Sequence, residues 1–378
     1  MRLAKVLALA SALGALGPPS QAGASTGPLR VELGGYMEQA AGWARNQPGV
    51  RVAQRSAAGT TSAVLREPNR FAQQSDAEIW FTGRARIGDG LVLGFVVQLE
   101  ANSNAQDQVD ESYLFVEGPL GRLLAGSEND AAYLQHVSAP RPAAGWGVLE
   151  TAATQWVMVP RYVSALTTTA PTTAGDDQKL TWFAPRLAGL QPGASFTPNE
   201  REDANELADR ARERTNLSTL SMDGRWSLGG ASLRLSAGRG QGGGAPGASF
   251  ADRRAPLDDD AAGAEIGWGE WRIGAGYRRL ANPGSALDGR ARAIGLAWRR
   301  DRWSAAMGHL RSRTAGTATT PGRDKSDIVV LSTGYSVAPG VDLVLSGFGA
   351  RHANGGSRFG AEDRNRGRGM VSALRLSF

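Results

Sequence analysis

Between Asp76 and Ile87 the side chains change character at every residue. Ala77, Ile79, Phe81, Gly83, Ala85 and Ile87 make one series; Asp76, Glu78, Trp80, Thr82, Arg84 and Arg86 make the other. A strand sends successive side chains to opposite faces, whereas a helix repeats its apolar positions every three or four residues. The stretch is therefore a strand with one apolar face. After Gly88-Asp89-Gly90 the apolar series resumes as Leu91, Leu93, Phe95, Val97 and Leu99, with Gln98 and Glu100 opposite. Two strands of about ten residues joined by a tight turn have the length that crosses a bilayer at a tilt. No segment of helical period and comparable length follows.

The connections predict how many such strands there are. Tight turns fall at 88–90, 118–121, 184–189, 229–230, 269–270, 299–302 and 338–340. They alternate with long polar stretches at 42–75, 101–109, 127–176, 198–214, 240–260 and 352–366. Short turns at one rim and long loops at the other are the asymmetry of outer-membrane barrels. The intervals between them predict about sixteen strands, an even number as single-chain bacterial barrels have. The fold class expected is all-β, a transmembrane antiparallel β-barrel.

The ends of the chain agree. Arg2 and Lys5 precede an apolar run from Val6 to Leu16, Gly17-Pro18-Pro19 interrupts it, and Ala22-Gly23-Ala24 offers a small-residue cleavage site. Residues 1–24 are predicted to be a secretory signal peptide, the run being shorter than the roughly 20 residues of a membrane-spanning helix. Residues 25–378 then form the barrel in the cell outer membrane. At the other end Leu374, Leu376 and Phe378 share a face while Arg375 and Ser377 take the opposite one. A terminal aromatic on an alternating strand is similar to the signal read by barrel-assembly machinery.

Two segments carry a more specific likeness. Asp110-Glu111-Ser112-Tyr113-Leu114-Phe115-Val116-Glu117-Gly118, followed by Gly121-Arg122, resembles the fourth strand, turn and fifth strand of the general bacterial porins, in particular the proteobacterial trimeric members. Lys179-Leu180-Thr181-Trp182-Phe183-Ala184-Pro185-Arg186-Leu187-Ala188-Gly189-Leu190 resembles the sixth strand and the turn after it. The resemblance implies a sixteen-stranded barrel, a homotrimer, and a third external loop folded into the lumen. That loop would be residues 127–176, and a structureless loop of about 50 residues is expected only where it is functional or disordered. By the same resemblance it narrows the channel, with acidic side chains facing basic ones on the wall. The candidates are Glu128, Asp130 and Glu150 on the loop, and Arg84 and Arg86 on the wall. Glu78 shares the wall face. Trp146 is a candidate for packing the loop against the wall.

Such a passage acts by electrostatics. Opposed charges in a narrow, low-dielectric-walled channel orient dipolar solutes and hinder apolar ones. Lumen water solvates the charges, whereas Arg or Lys facing lipid at the bilayer midplane costs about 2–4 kcal/mol. Arg84, Arg86, Arg272, Arg278 and Arg375 all stand opposite apolar faces. The function implied is passive diffusion of small hydrophilic solutes and ions. The alternative is a surface or adhesive barrel working through its long external loops; the position of 127–176 separates the two.

Other chemistries find no support. With no cysteine there are no disulfides or thiolate metal sites, and His136, His309 and His352 lack metal-ligand spacing. Gly238-Arg239-Gly240-Gln241-Gly242-Gly243 fits a dinucleotide fingerprint in letters, but Gly244-Ala245-Pro246-Gly247 follows where a helix is required. No cofactor and no catalytic constellation is expected. The formal net charge of +6 is spread along strands rather than clustered, which argues against nucleic acid. It suits a pore or the anionic lipopolysaccharide and lipid of the outer membrane. Asp258-Asp259-Asp260 reads as a solvated charge run in an external loop.

Overall fold

Sixteen antiparallel strands close into one barrel, and every tight turn expected from the sequence joins two of them. The computed structural model describes residues 27–48, 50–55, 61–66, 69–88, 90–101, 108–149, 152–200, 214–243, 257–316, 322–356 and 363–378. Residues 1–24, read as a signal, and Glu150 lie outside the described residues. Strand β1 is Arg30–Arg45; a separate hairpin, β2 (Val50–Arg55) and β3 (Thr61–Arg66), stands in the first loop. Then come β4 (Phe71–Ile87), β5 (Leu91–Glu100), β6 (Val109–Gly118), β7 (Gly121–Ser127), β8 (Gln178–Phe183) and β9 (Leu190–Asn199). The wall continues with β10 (Thr215–Leu228), β11 (Ala231–Gly243), β12 (Leu257–Trp268), β13 (Trp271–Ala281) and β14 (Gly289–Arg300). It ends with β15 (Trp303–Thr314), β16 (Asp324–Ala338), β17 (Val341–Ala353) and β18 (Arg364–Ser377).

Closure joins the two ends of the chain. β1 pairs with β18 from Tyr36↔Ser377 to Arg45↔Arg368, and with β4 on its other edge. Gly35 and Phe378 exchange backbone hydrogen bonds of 3.1 Å, so the terminal aromatic completes the ladder. Among the described residues no edge of the barrel sheet is left unpaired, as a bilayer demands of any sheet within it.

The pleat sorts the side chains as the alternation requires. Phe81, Leu93, Leu114, Ile273, Met307, Val329 and Leu374 are exposed on the outer wall. Glu78 is buried on the inner face with Tyr36, which donates to its Oε1 at 3.0 Å. Loop boundaries differ from expectation where strands run on, β9 into 198–214 among them. Strands β1 and β4 extend into 42–75, β11 and β12 into 240–260, and β17 and β18 into 352–366. Residues near the outer rim are still paired in the ladder, Trp43 with Phe71 and Gln241 with Asp258 among them, and single apolar residues among polar and glycine neighbours give too short an alternation to read.

The inner wall is not polar all round. On β15–β18 and β1 the inward residues include Leu310, Ile328, Val330, Val344, Phe348 and Val371, all buried in one apolar cluster with Trp146, Val148, Trp156 and Val157. The latter four belong to the segment between β7 and β8. The third external loop is therefore inside the barrel, and the main apolar core lies in the lumen.

Candidate functional site

The inward loop leaves β7 at Ser127, whose hydroxyl donates to the Asp176 carbonyl across the loop's two ends. Lys179 ties the same root together, donating to the carbonyls of Glu128 and Asp177, and to that of Gly175 at 2.8 Å. A short helix α1 (Ala131–Leu134) follows, its N-cap Asp130 accepting from the Tyr133 N–H at 3.0 Å. The chain then runs around the inner wall to a second short helix, α2 (Ala152–Trp156), opposite β17.

Serines on the inner face receive the loop backbone along this path. Ala131 N donates to Ser195 Oγ at 2.8 Å and Val137 N to Ser236 Oγ at 2.8 Å. Ser332 Oγ donates to the Trp146 carbonyl at 2.6 Å. On the return arm Ser164 N donates to Asp324 and its carbonyl accepts from Thr314. Met158 meets Asn46 and Asn365 where the barrel closes. Each bond contributes about 0.5–1.5 kcal/mol net, and leaving a buried loop amide without one costs more.

Glycines give the loop room to lie this close. A Cβ on inward-facing Gly263 would overlap the Val137 carbonyl, and one on Gly334 would overlap Ala144. The Gly238-x-Gly240-x-Gly242 run has the same use: Gly238 faces Ala132 and Gly240 faces Thr173, while Arg239 and Gln241 point outward. The letters of a dinucleotide fingerprint are here the smooth inner track of a strand.

A buried ion pair clamps the return arm. Arg278 donates to both oxygens of Asp259, at 2.8 and 2.7 Å, and to Thr172 Oγ at 2.7 Å; the Thr172 N–H donates to Asp259 Oδ2 at 2.9 Å. The run Asp258-Asp259-Asp260 thus stands on β12 rather than in a loop. The pleat turns Asp259 inward as a clamp and leaves Asp258 and Asp260 outside, within reach of Arg239. Sequence reading missed the clamp because it placed the run beyond the strand end. The signal was an acid and a base on adjacent strands, Asp259 and Arg278, diagonal to each other in the ladder and each flanked along its strand by residues of the opposite face.

The residues expected at a constriction are placed as follows. Glu128 and Asp130 are each 1 % exposed in the loop root. Burial pushes the Glu128 carboxyl up to about 7, Asp176 adding to the shift and the Asn129 N–H opposing it. Burial also raises Asp130. His136, beside Thr169, is lowered to about 3 by burial and by the Arg278 charge. Glu78 accepts from Tyr36, from Trp80 at 3.2 Å and from Gln98 at 2.8 Å. Arg84 lies 5.5 Å from the Phe115 ring centroid, with Arg122 at 4.9 Å from the same ring. Arg86 is exposed nearer the turn. The structure brings Arg84 and Arg122 together, and it joins Glu128 and Asp130 in the root. Among the described residues, no group of three or more His, Asp or Glu is arranged to hold a metal ion.

Charge is layered along the axis. Asp76, Glu78 and Glu100 face inward at the loop half of β4 and β5; Arg84, Arg86 and Arg122 face inward at the turn half of the same side. The loop contributes a cation of its own, Arg141, whose carbonyl accepts from Arg272.

Solved structures with the same architecture cover nearly the whole chain. A trimer form of OmpT, an outer membrane protein of Vibrio cholerae, is 12% identical with a TM-score of 0.59, over 93% of this chain and 99% of that one. The outer membrane channel DcaP of Acinetobacter baumannii is 9% identical with a TM-score of 0.60, over 93% and 97%. An anion-selective porin from Comamonas acidovorans is 14% identical with a TM-score of 0.55, over 93% and 100%. No curated protein matches the sequence. The family model for Gram-negative porins matches residues 8–355, taking in the strand, turn and inward-loop segments described above. The chain belongs to the Gram-negative porin family and is an outer-membrane channel.

Proposed function

We propose that small hydrophilic solutes and ions diffuse through the space between the inward loop and the inner faces of β4–β7. The observation that carries this reading is the course of residues 127–176. Among the described residues their hydrogen bonds run along β9 to β18, to Glu38 on β1 and to Asn46 after it, and meet β6 at the root, where Asn129 donates to Glu111. The passage is then bordered by Asp76 and Glu100 toward the loops and by Arg84, Arg86 and Arg122 toward the turns, with Arg141 across from them. An ion meets these charges within a Debye length, about 8 Å at physiological salt. Glu128 and Asp130 act in this reading by holding the loop in place, and no step of it is catalytic.

A loop committed to the lumen favours a channel over an adhesin. Single-channel recording in planar bilayers tests it: stepwise ohmic conductance is expected, and deletion of most of 127–176 should enlarge it and relax the size cut-off. Arg84→Gln with Arg122→Gln should move the reversal potential toward cations in a salt gradient. A folded barrel that gives no conductance steps would end the channel reading.

The assembly proposed is a homotrimer, as in the trimer form of OmpT. Its contact face is the outer wall of β1, β4 and β5, where Ile79, Phe81, Leu93 and Phe95 present apolar surface without charge. Only monomers in native electrophoresis or light scattering would remove it.

A further inference from the structure

On the turn side of the lumen three arginines converge on one aspartate. Asp223, on β10, is buried, and Arg186 from the turn after β8 donates to its Oδ2. Arg225, two residues along the same inward face, donates its Nε to Oδ2 at 2.7 Å. Arg234, on β11 and directly opposite Arg225 in the ladder, brings a terminal nitrogen within 3.5 Å of Oδ1. Ser221 and Ser236, which meet the inward loop, share these two strand faces, so the whole group points into the lumen. The loop roofs it: Gln135, just after α1, donates to the Gln191 carbonyl at 3.2 Å and accepts from Ser221 Oγ at 2.7 Å.

The three cations are not used alike. Arg186 is committed: it also donates to the carbonyls of Gly189 and Asp223 and to Gln191 Oε1, at 2.7, 3.0 and 2.8 Å, and so ties the turn to the wall. Among the described residues Arg225 spends only its Nε, which leaves both terminal nitrogens as a fork. Arg234 spends one terminal nitrogen, and its buried Nε has no hydrogen-bond partner. The two side chains are 54 % and 38 % exposed, whereas that of Asp223 is fully buried. The acid is withdrawn behind its cations, and their remaining donors face lumen water. Like charges at directly opposed ladder positions repel, and one carboxylate shared from behind does not neutralise both. Glu265, opposite Arg234 on β12, and Arg272, next on β13, leave four cations against two acids along this rim.

We propose that Arg225 and Arg234 form a binding site for the carboxylate of an organic anion at the turn-side mouth of the channel, with Asp223 positioning them. Three features select this ligand. An arginine held through Nε presents its two terminal N–H groups in the plane and at the spacing of a carboxylate, which takes both. A buried donor without a partner is costly, and an oxyanion at this place supplies one to Arg234 Nε. An anion between two opposed arginines also converts their repulsion into attraction, and chloride, with no pair of oxygens, gains only the charge. Strands β8 and β9 separate the site from Arg122 on β7, so it is not part of the passage beside the loop. A solute that has passed between the loop and β4–β7 meets it last. Diffusion of organic carboxylates is then saturable, whereas chloride passes in proportion to its concentration. That consequence rests on the channel reading; binding itself rests on the geometry of the site.

The test uses the full-length protein in detergent with succinate as the probe, binding being read by saturation-transfer NMR. The wild type should transfer saturation to succinate. Arg225→Gln with Arg234→Gln should weaken the apparent affinity at least about tenfold, as loss of charge-assisted hydrogen bonds implies. Lysine at both positions keeps the charge without the fork and should recover only a minor part. Arg84→Gln with Arg122→Gln, in the passage, and Arg300→Gln with Arg302→Gln, at the turn between β14 and β15, should bind as the wild type does. In planar bilayers the wild-type conductance should level off with rising potassium succinate and rise linearly in potassium chloride; the Arg225 and Arg234 glutamine variant should be linear in both. Unchanged binding by that variant, full retention by the lysine variant, equal loss in the Arg84 and Arg122 variant, or displacement by an equal concentration of chloride would overturn the proposal. A barrel that binds succinate without conducting leaves the site standing and ends the channel reading. One that conducts chloride and binds no succinate does the reverse.

Discussion

Trp146 of the inward loop and Phe348 of the inner wall lie with ring centroids 5.9 Å apart and planes tilted by 34°. Trp156 joins them at 6.3 and 6.4 Å, so two loop aromatics and one wall aromatic form a single contact. An apolar residue inside a water-filled barrel is as unfavourable as a charge facing lipid, unless something covers it. Wall and loop therefore depend on each other: Ile328, Val330 and Val344 are sheltered by the loop, and the loop is held by them.

Truncating the loop side of this contact should loosen the loop before the barrel. Trp146→Ala should cost about 3–5 kcal/mol, seen in urea unfolding from lipid vesicles. Limited proteolysis should then cut the variant between 140 and 160 at concentrations that spare the wild type. A variant as resistant as wild type would mean that the backbone bonds to Ser332 and Ser236 carry the loop alone.

Steric clearance is tested from the wall side. Gly263→Val forces a side chain against the Val137 carbonyl, whereas Gly347 has nothing within 4 Å of an added Cβ. The first should lower thermal stability and raise conductance by displacing the loop; Gly347→Ala should leave both unchanged. Equal behaviour of the two variants would show that the loop is not seated on this track.

The strand count, the turns and the side facing lipid were legible, because alternation and turn spacing are local properties of the chain; the inward course of the third loop was implied only by the likeness of two segments to the general porins. What the loop does inside the barrel was less legible. Its carboxylates looked like pore charges, but whether Glu128 faces water or a buried root depends on Lys179 and Asn129, which arrive from tertiary packing. The apolar inner wall did leave a trace. Ile328-Val329-Val330-Leu331 is apolar on both faces, as strands covered on both sides are. Outward arginines were harder to read, since at strand ends the cost that drives charge off the lipid face fades.

The Glu128 root makes stability depend on pH. Its folded value of about 7 lies above the ordinary 4.5, so the folded loop binds the proton more tightly than the unfolded chain does. The stabilisation is fully present below about 4.5 and is lost as pH rises through about 7. Thermal midpoints across that window should fall toward alkaline pH in the wild type. In Glu128→Gln they should follow a flatter course, the amide keeping an acceptor for the Asn129 N–H. Parallel pH profiles would place the titrating group elsewhere.

Face assignment on β4 has the cleanest chemical test, because the chain contains no cysteine. Phe81 and Arg84 are three residues apart on one strand, and the pleat sends the first to the outer wall and the second to the lumen beside Phe115. A one-residue slip would exchange the two faces along the whole strand, since the side-chain period is two. Ladder pairings of Phe81 with Leu33 and Val97 hold the register from both sides. In vesicles, Phe81→Cys should therefore resist a membrane-impermeant thiol reagent, and Arg84→Cys should react with it. Prior addition of a solute too large to pass the loop should leave labelling at 84 unchanged, while deletion of most of 127–176 should let larger reagents reach it. Rapid modification at 81 together with protection at 84 would overturn the register, and with it the placement of every wall charge from Asp76 to Arg86.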